Sequence, residues 1–203
     1  MSDIPAPAAR PKFSPTTRII IIIVSIAVMV GGILQMVRGL RGAKMDPEVE
    51  RLLSESDAAL TEGNRSTTEA SPIFNAALNA VDSEGLAAVR AQKAQGLQKA
   101  GELFGKAAEQ IGLAARKLDE AAAHKGAGTL KLMLETKAQS YEHYALSKTI
   151  NQEICRTVLD ESLKTIDEVL PKIQEAAKRR DEIEAKGNEA SAEAKKIADD
   201  LRK

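Results

Sequence analysis

The chain has 203 residues, its 29 basic and 29 acidic side chains balance, and it contains two Tyr, three Phe and no Trp. We predict that it binds no nucleic acid, because nucleic-acid-binding proteins are expected to carry a basic surface and, for single strands, aromatic side chains that stack on bases. The single cysteine, Cys155, excludes an intramolecular disulfide.

Residues 1–17 contain four prolines among small and polar residues. Such a segment has too little apolar surface to pack and too many prolines to form a helix. We predict a disordered, Pro-rich tail.

An uncharged run of 19 residues extends from Ile19 to Val37, between two arginines. As a helix it would be about 28 Å long, close to the roughly 30 Å hydrocarbon thickness of a bilayer. We therefore predict a transmembrane helix over residues 18–38 and a single-pass membrane protein. The alternative is a cleaved signal peptide, whose apolar region is usually about 7 to 15 residues long and is followed by small residues. Here the run is longer, and Arg38, Arg41 and Lys44 follow it.

Three basic residues lie close to each end of the predicted span, so the positive-inside rule does not decide its orientation. By analogy with bacterial signal anchors, we expect an inner-membrane protein whose C-terminal domain lies outside the cytoplasm. Within the span, Ala27 and Gly31 are small residues four positions apart. This spacing would let two helices pack closely and favours a homo-oligomer.

After a predicted linker at 39–46, the composition indicates a helical domain over residues 47–186. Asp46-Pro47 predicts a helix start, because an N-cap residue is followed by a proline in the first turn. Gly63-Asn64 predicts the end of that helix. The expected caps of a second short helix are Ser66, Thr67 or Thr68.

Two long helices are predicted downstream. From Leu97 to Ala121, apolar and small residues recur every three or four positions, which indicates one helix that starts near Ser83-Glu84. Glycines at 126 and 128 predict its end, with Thr129 as the next N-cap. A second apolar run extends from Ile150 to Ile173, and Pro171 within it predicts either a kink or a new helix.

Residues 187–203 are mostly Ala, Glu, Lys and Asp. We predict a charged C-terminal helix that is solvated or contacts a partner.

The stretch from Leu60 to Asn64, followed by an Ala-x3-Phe-x2-Ala pattern, resembles the junction and second helix of a tetratricopeptide repeat. The same half-motif occurs about 30 residues later. The resemblance implies helical hairpins in which the aromatic side chain fills the gap between paired helices; another antiparallel helical bundle is the alternative. The residues that would pack in this way are Ala70, Phe74, Ala77, Ala100, Phe104 and Ala107.

We find no pattern that predicts a catalytic residue, a metal site or a cofactor. His124 and His143 each lack a second His or Cys at helical spacing, which predicts surface or helix-end histidines. The position of Cys155 between apolar helical residues predicts a buried, unreactive thiol. Tyr141 and Tyr144 share a helical face and either line a binding groove or fill the core.

Together these observations predict a membrane-anchored helical module that holds a protein partner at the bilayer and has no catalytic activity. The alternative is a signal-transducing or self-associating helical bundle that is coupled to the span.

Overall fold

The computed structural model describes residues 46–202, apart from the side chains of residues 82 and 83. It contains α1 (Pro47–Glu84), α2 (Leu86–Ala123), a 3-10 helix (Lys125–Leu130), α3 (Lys131–Leu159) and α4 (Ile166–Asp200). This confirms the all-α fold class. The predicted tail and span lie outside the described residues, and so do Ala27 and Gly31. None of the helices between residues 46 and 202 is long and apolar enough to cross a bilayer.

Consecutive long helices pack side by side in opposite directions, which confirms an antiparallel helical bundle. Ser56 of α1 donates its hydroxyl to the carbonyl of Ala114 in α2 at 2.9 Å, while Ile73, further along α1, lies against Gly96, earlier in α2. Extensive packing occurs between α1 and α2, α2 and α3, and α3 and α4. The first and last helices do not pack extensively on each other, so the bundle is open and α4 lies at one edge.

The buried face of α2 repeats every seven residues, which confirms the periodicity predicted there. Small residues let neighbouring helices approach closely, and the larger ones fill the layers between them. Large apolar side chains and alanines alternate along this face: Leu97, Ala100, Phe104, Ala107, Ile111, Ala114, Leu118 and Ala121.

The first predicted helix end, at Gly63-Asn64, is wrong, because α1 continues through both residues. Gly63 is buried against α2: a Cβ there would lie 2.7 Å from Cγ1 of Ile111 and 3.2 Å from the carbonyl oxygen of Ala107. Glycine weakens a helix by about 1 kcal/mol relative to alanine, and close helix packing can offset this. The Thr67 hydroxyl donates to the Gly63 carbonyl at 3.0 Å inside the helix, so it caps no new helix. The junction that the repeat resemblance implies therefore contains no turn.

A single residue, Gly85, connects α1 to α2. Its φ of 88° lies in the left-handed region, where glycine avoids the strain of a side chain. The second helix starts at Leu86, close to the predicted Ser83-Glu84.

The predicted glycine-containing stop after α2 is confirmed. That helix ends at Ala123, and the 3-10 helix that follows contains Gly128 with a φ of 51°. The third helix starts at Lys131, with Leu130 instead of Thr129 at the N-cap position.

The apolar run from Ile150 to Ile173 is divided between two helices, because residues 160–165 form a turn. The Asp160 carboxylate accepts the backbone N–H of Ser162 at 2.9 Å, which stabilises the turn. The Glu168 carboxylate then accepts the backbone N–H of Thr165 at 3.0 Å and caps the start of α4. A new helix does begin here, but at Ile166 and not at Pro171.

The boundary predicted at residue 187 falls inside α4, which is continuous to Asp200. Gly187 is buried against α3, and a Cβ there would lie 3.0 Å from the ring of Tyr144. Ala194 and Ala198 are also buried. The C-terminal segment is thus one edge of the packed domain and keeps only its outer face in solvent.

Candidate functional site

The contact between α3 and α4 has an apolar part, to which Val169, Ile173 and Ala176 of α4 belong, and a polar part further along both helices. We call the polar part the polar seam and define it by Lys137, Ser140, Tyr144, Ser147 and Lys148 of α3 with Glu184, Gly187, Asn188 and Ser191 of α4. It combines buried polar side chains that form hydrogen bonds between two helices with two ionisable groups, Lys137 and Glu184, whose pKa values are shifted, and it is therefore the candidate functional site.

Direct hydrogen bonds cross the polar seam along about three helical turns. The Ser140 hydroxyl donates to the carbonyl of Gly187 at 2.8 Å, which only a close approach of the two helices permits. One turn further along, the Tyr144 hydroxyl donates to Oδ1 of Asn188 at 2.7 Å. Each such bond contributes about 0.5–1.5 kcal/mol net, because water makes equivalent bonds when the helices separate.

One end of the polar seam contains an ion pair. Nζ of Lys148 lies 3.3 Å from Oε1 of Glu184, and the same oxygen accepts the Ser147 hydroxyl at 2.5 Å. Burial pushes the pKa of Glu184 up, but Lys148, Ser147 and Arg180 outweigh it and bring the pKa below its usual value. The carboxylate is therefore ionised at neutral pH and holds α4 against α3.

The other end contains a buried lysine that has no carboxylate partner among the described residues. Lys137 is 3% exposed, and its Nζ donates to the Ser191 hydroxyl at 2.9 Å and lies 5.2 Å from the ring centre of Tyr141. Burial lowers the pKa of Lys137 to about 8. A large part of the ammonium population can thus lose its proton under mildly alkaline conditions, so this end of the polar seam is sensitive to pH.

Tyr141 and Tyr144 are both buried, so they fill the core and do not line an open groove. Burial raises the pKa of Tyr141 well above its usual value. The Tyr141 hydroxyl and the side-chain amide of Asn64 in α1 have no hydrogen-bond partner. Among the described residues, these two are the buried polar side-chain groups without a partner.

The six residues of the repeat-like motifs lie in one region, on the facing sides of α1 and α2. The rings of Phe74 and Phe104 meet edge to face, with centres 5.3 Å apart and planes at 85°. All six residues are buried. The two half-motifs therefore pack on each other across a single hairpin; membership of the repeat family stays a prediction.

The other chemistry-bearing residues are in structural positions. Cys155 is buried, as predicted, and burial raises the pKa of its thiol to about 12, so the thiol is protonated at neutral pH. His124 is a helix-end residue, also as predicted, and its Nδ1 accepts the backbone N–H of Gly126 at 3.1 Å. Within the described part of the chain, no three His, Cys, Asp or Glu side chains are grouped to hold a metal ion.

The sequence interpretation did not identify the polar seam, although a signal was present. Polar residues recur on α3 every three or four positions, at Lys137, Ser140, Tyr144, Ser147 and Asn151, and all five are buried. A polar stripe at this spacing normally indicates a solvated face. It faces another helix here because α4 supplies matching hydrogen-bonding groups.

No known protein family, curated protein or solved structure matches this chain.

Proposed function

We propose that the chain is a single-pass membrane protein whose helical domain holds a protein partner at the bilayer and has no catalytic activity. The observation that carries the proposal is the edge position of α4. This helix contacts the rest of the domain through one stripe, and its remaining surface is free for a partner. The buried residues of that stripe are Val169, Ile173, Ala176, Gly187, Ala194 and Ala198.

The exposed face of α4 suits a polar, reversible interaction. Lys186 and Glu189 are exposed one turn apart, and the neighbouring turns present further charges of both signs. A surface of alternating charge orients a complementary partner and speeds its association, but it adds little to the affinity. The predicted span adds a second contribution, because a tether raises the effective concentration of the partner near other membrane components.

The proposed location is the bacterial inner membrane, with the helical domain outside the cytoplasm. A membrane-impermeant thiol reagent applied to intact cells tests this side of the membrane. Since Cys155 is buried, the label requires an exposed cysteine such as Glu189→Cys. Labelling of the variant in intact cells supports the proposed side, and labelling only after lysis contradicts it.

Affinity capture of the tagged full-length chain from a detergent extract tests the scaffolding role. We expect a partner to be recovered above a control that carries the span alone. A charge swap on α4, Lys186→Glu with Glu189→Lys, keeps the net charge and should abolish recovery. The matched swap on exposed positions of α2, Lys99→Glu with Glu102→Lys, should leave recovery unchanged. Recovery equal to the span-only control, or equal effects of both swaps, would refute the proposal.

The polar seam favours the alternative, a signal-transducing or self-associating bundle. Its hydrogen bonds are exchangeable with water or with a second copy, so α4 could separate from α3 with less loss than an apolar contact would impose. Sedimentation of the full-length chain in detergent distinguishes the two functions. A monomer favours the scaffold, and a stable dimer that the Ser140→Ala variant weakens favours self-association.

A further inference from the structure

The described part of the chain begins at one end of the bundle, at Asp46. Asp46, directly before α1, lies with its Oδ1 3.8 Å from Nδ1 of His124, which follows α2. The same side chain packs so closely on Gly126 that a Cβ there would overlap it. The connection from α2 to α3 therefore sits beside the point where the chain enters from the predicted span.

The distance from the span to this end is limited. The uncharged run ends at Val37 and the structure begins at Asp46, with eight residues between them. Even fully extended, these residues reach only about 30 Å. The opposite end of the bundle, at Gly85, is one 38-residue helix away, which is about 57 Å. If the span crosses the bilayer, the end that contains Asp46 is the one that faces it.

This end presents a segment with the chemistry of a lipid-contacting surface. We define the tip segment as residues 125–132; its side chains are largely exposed except for Ala127. Leu132 is 60% exposed. Among the described residues, the other exposed large hydrophobic side chain is Leu146, at 47%. Lys131 directly precedes Leu132, Lys125 lies at the start of the segment, and no Asp or Glu occurs between Glu120 and Glu135.

Acidic residues at this end are partly neutralised by local ion pairs, which lowers their repulsion of an anionic surface. These pairs are Glu120 with Lys117 at 2.7 Å and Asp199 with Arg202 at 2.9 Å.

We propose that the tip segment docks on the anionic surface of the bilayer in which the chain is anchored. Leu132 enters the interfacial region, and Lys125 and Lys131 lie among the acidic headgroups, an arrangement that combines apolar burial with electrostatic attraction. This inference rests on the proposed membrane anchoring. Docking would fix the long axes of the helices relative to the membrane and point the Gly85 end away from it.

The test uses the full-length chain in vesicles of phosphatidylcholine mixed with phosphatidylglycerol. An environment-sensitive fluorophore is attached at Leu132→Cys or, as the matched control, at Leu146→Cys, an exposed position 14 residues further along α3. The wild-type chain is the labelling blank, because Cys155 is buried. Lipids with a quencher in the acyl chain report contact with the bilayer.

We expect several-fold stronger quenching at position 132 than at position 146, and a marked decrease in vesicles of phosphatidylcholine alone. Equal quenching at the two positions, or equal quenching in both kinds of vesicle, would overturn the inference. An alkaline carbonate wash separates its failure from that of the proposed function. If the chain stays in the membrane and position 132 is not quenched, only the docking is wrong. If the wash releases the chain, the anchoring is wrong and the docking with it.

Discussion

Arg90 of α2 joins three carbonyl groups at the turn between α3 and α4. Its Nε donates to the carbonyl of Val158 at 2.8 Å, Nη1 to that of Leu163 at 2.7 Å and Nη2 to that of Asp160 at 2.6 Å. These carbonyls belong to the end of α3 and the turn after it, where the hydrogen bonds of the helix stop. The Asp160 carbonyl also accepts the backbone N–H of Leu163 at 3.1 Å. We predict that Arg90→Met, which keeps the aliphatic stem, loosens the attachment of α4.

The magnitude follows from the three bonds. A hydrogen bond to a charged group contributes about 1.5–3 kcal/mol, but the Asp160 carbonyl is exposed and water replaces Arg90 there. The other two bonds are partly buried. We expect a loss of about 2–4 kcal/mol for Arg90→Met. Arg90→Lys should lose about half of this, because an ammonium keeps the charge but cannot span three acceptors in a plane.

Urea unfolding of the full-length chain in detergent, followed by the helical circular-dichroism signal, measures the difference in unfolding free energy. Arg156→Met is the matched control, because Arg156 is exposed in the last turn of α3. It should cost less than about 1 kcal/mol, the contribution of a cation near a helix C-terminus. If Arg90→Met and Arg156→Met unfold at the same urea concentration, the guanidinium does not hold the turn and the reasoning is refuted.

Two further predictions concern the contact between α3 and α4. Because burial lowers the pKa of Lys137 to about 8 from 10.5, the unfolded chain binds more protons between these values, and stability rises with pH across this window. The Lys137→Met variant should be more stable than wild type at pH 7, and its stability should lack the increase with pH that Lys137 causes. This prediction is contradicted if the variant and the wild type have the same urea midpoints at pH 7 and at mildly alkaline pH. Gly187→Val should lower the free energy of unfolding by about 1–3 kcal/mol, because the valine side chain would overlap the ring of Tyr144. Gly112→Ala should raise the free energy of unfolding by about 0.5–1 kcal/mol, because the added methyl group makes only ordinary contacts. Thermal unfolding measures both glycine variants, and a change of the same sign in the two would contradict the close approach at Gly187.

Local signals predicted the ends of helices only where the determinant is itself local. The N-cap and proline at Asp46-Pro47 start α1, and the side chain of Asp46 accepts the backbone N–H of Glu48 at 2.9 Å. Gly128, in the predicted glycine-containing stop after α2, has a positive φ. These helix ends depend on backbone strain and on hydrogen bonds between residues that are close in sequence, so they can be predicted from the local sequence.

The candidate site was not predicted, because a second helix, α4, decides whether the polar side chains of α3 are buried. A polar stripe such as that of α3 is typical of a solvated face unless another helix covers it, and the sequence left both a groove and the core open for Tyr141, which its burial assigns to the core. Whether a polar stripe is solvent-exposed or paired depends on groups about 40 residues away, such as Gly187 and Asn188.

The sequence by itself determined that the described domain is helical and which face of α2 is buried, because apolar and small residues that recur every three or four positions lie on one side of a helix. Tertiary structure alone decided that α1 passes through Gly63 and that α3 ends at Leu159. In the first case a neighbouring helix occupies the space that a side chain would fill. In the second, Arg90 from another helix donates to the carbonyls of Val158 and Leu163, at the end of α3 and in the turn after it. A preference of about 1 kcal/mol at one residue cannot decide a helix boundary when contacts from distant residues contribute as much or more.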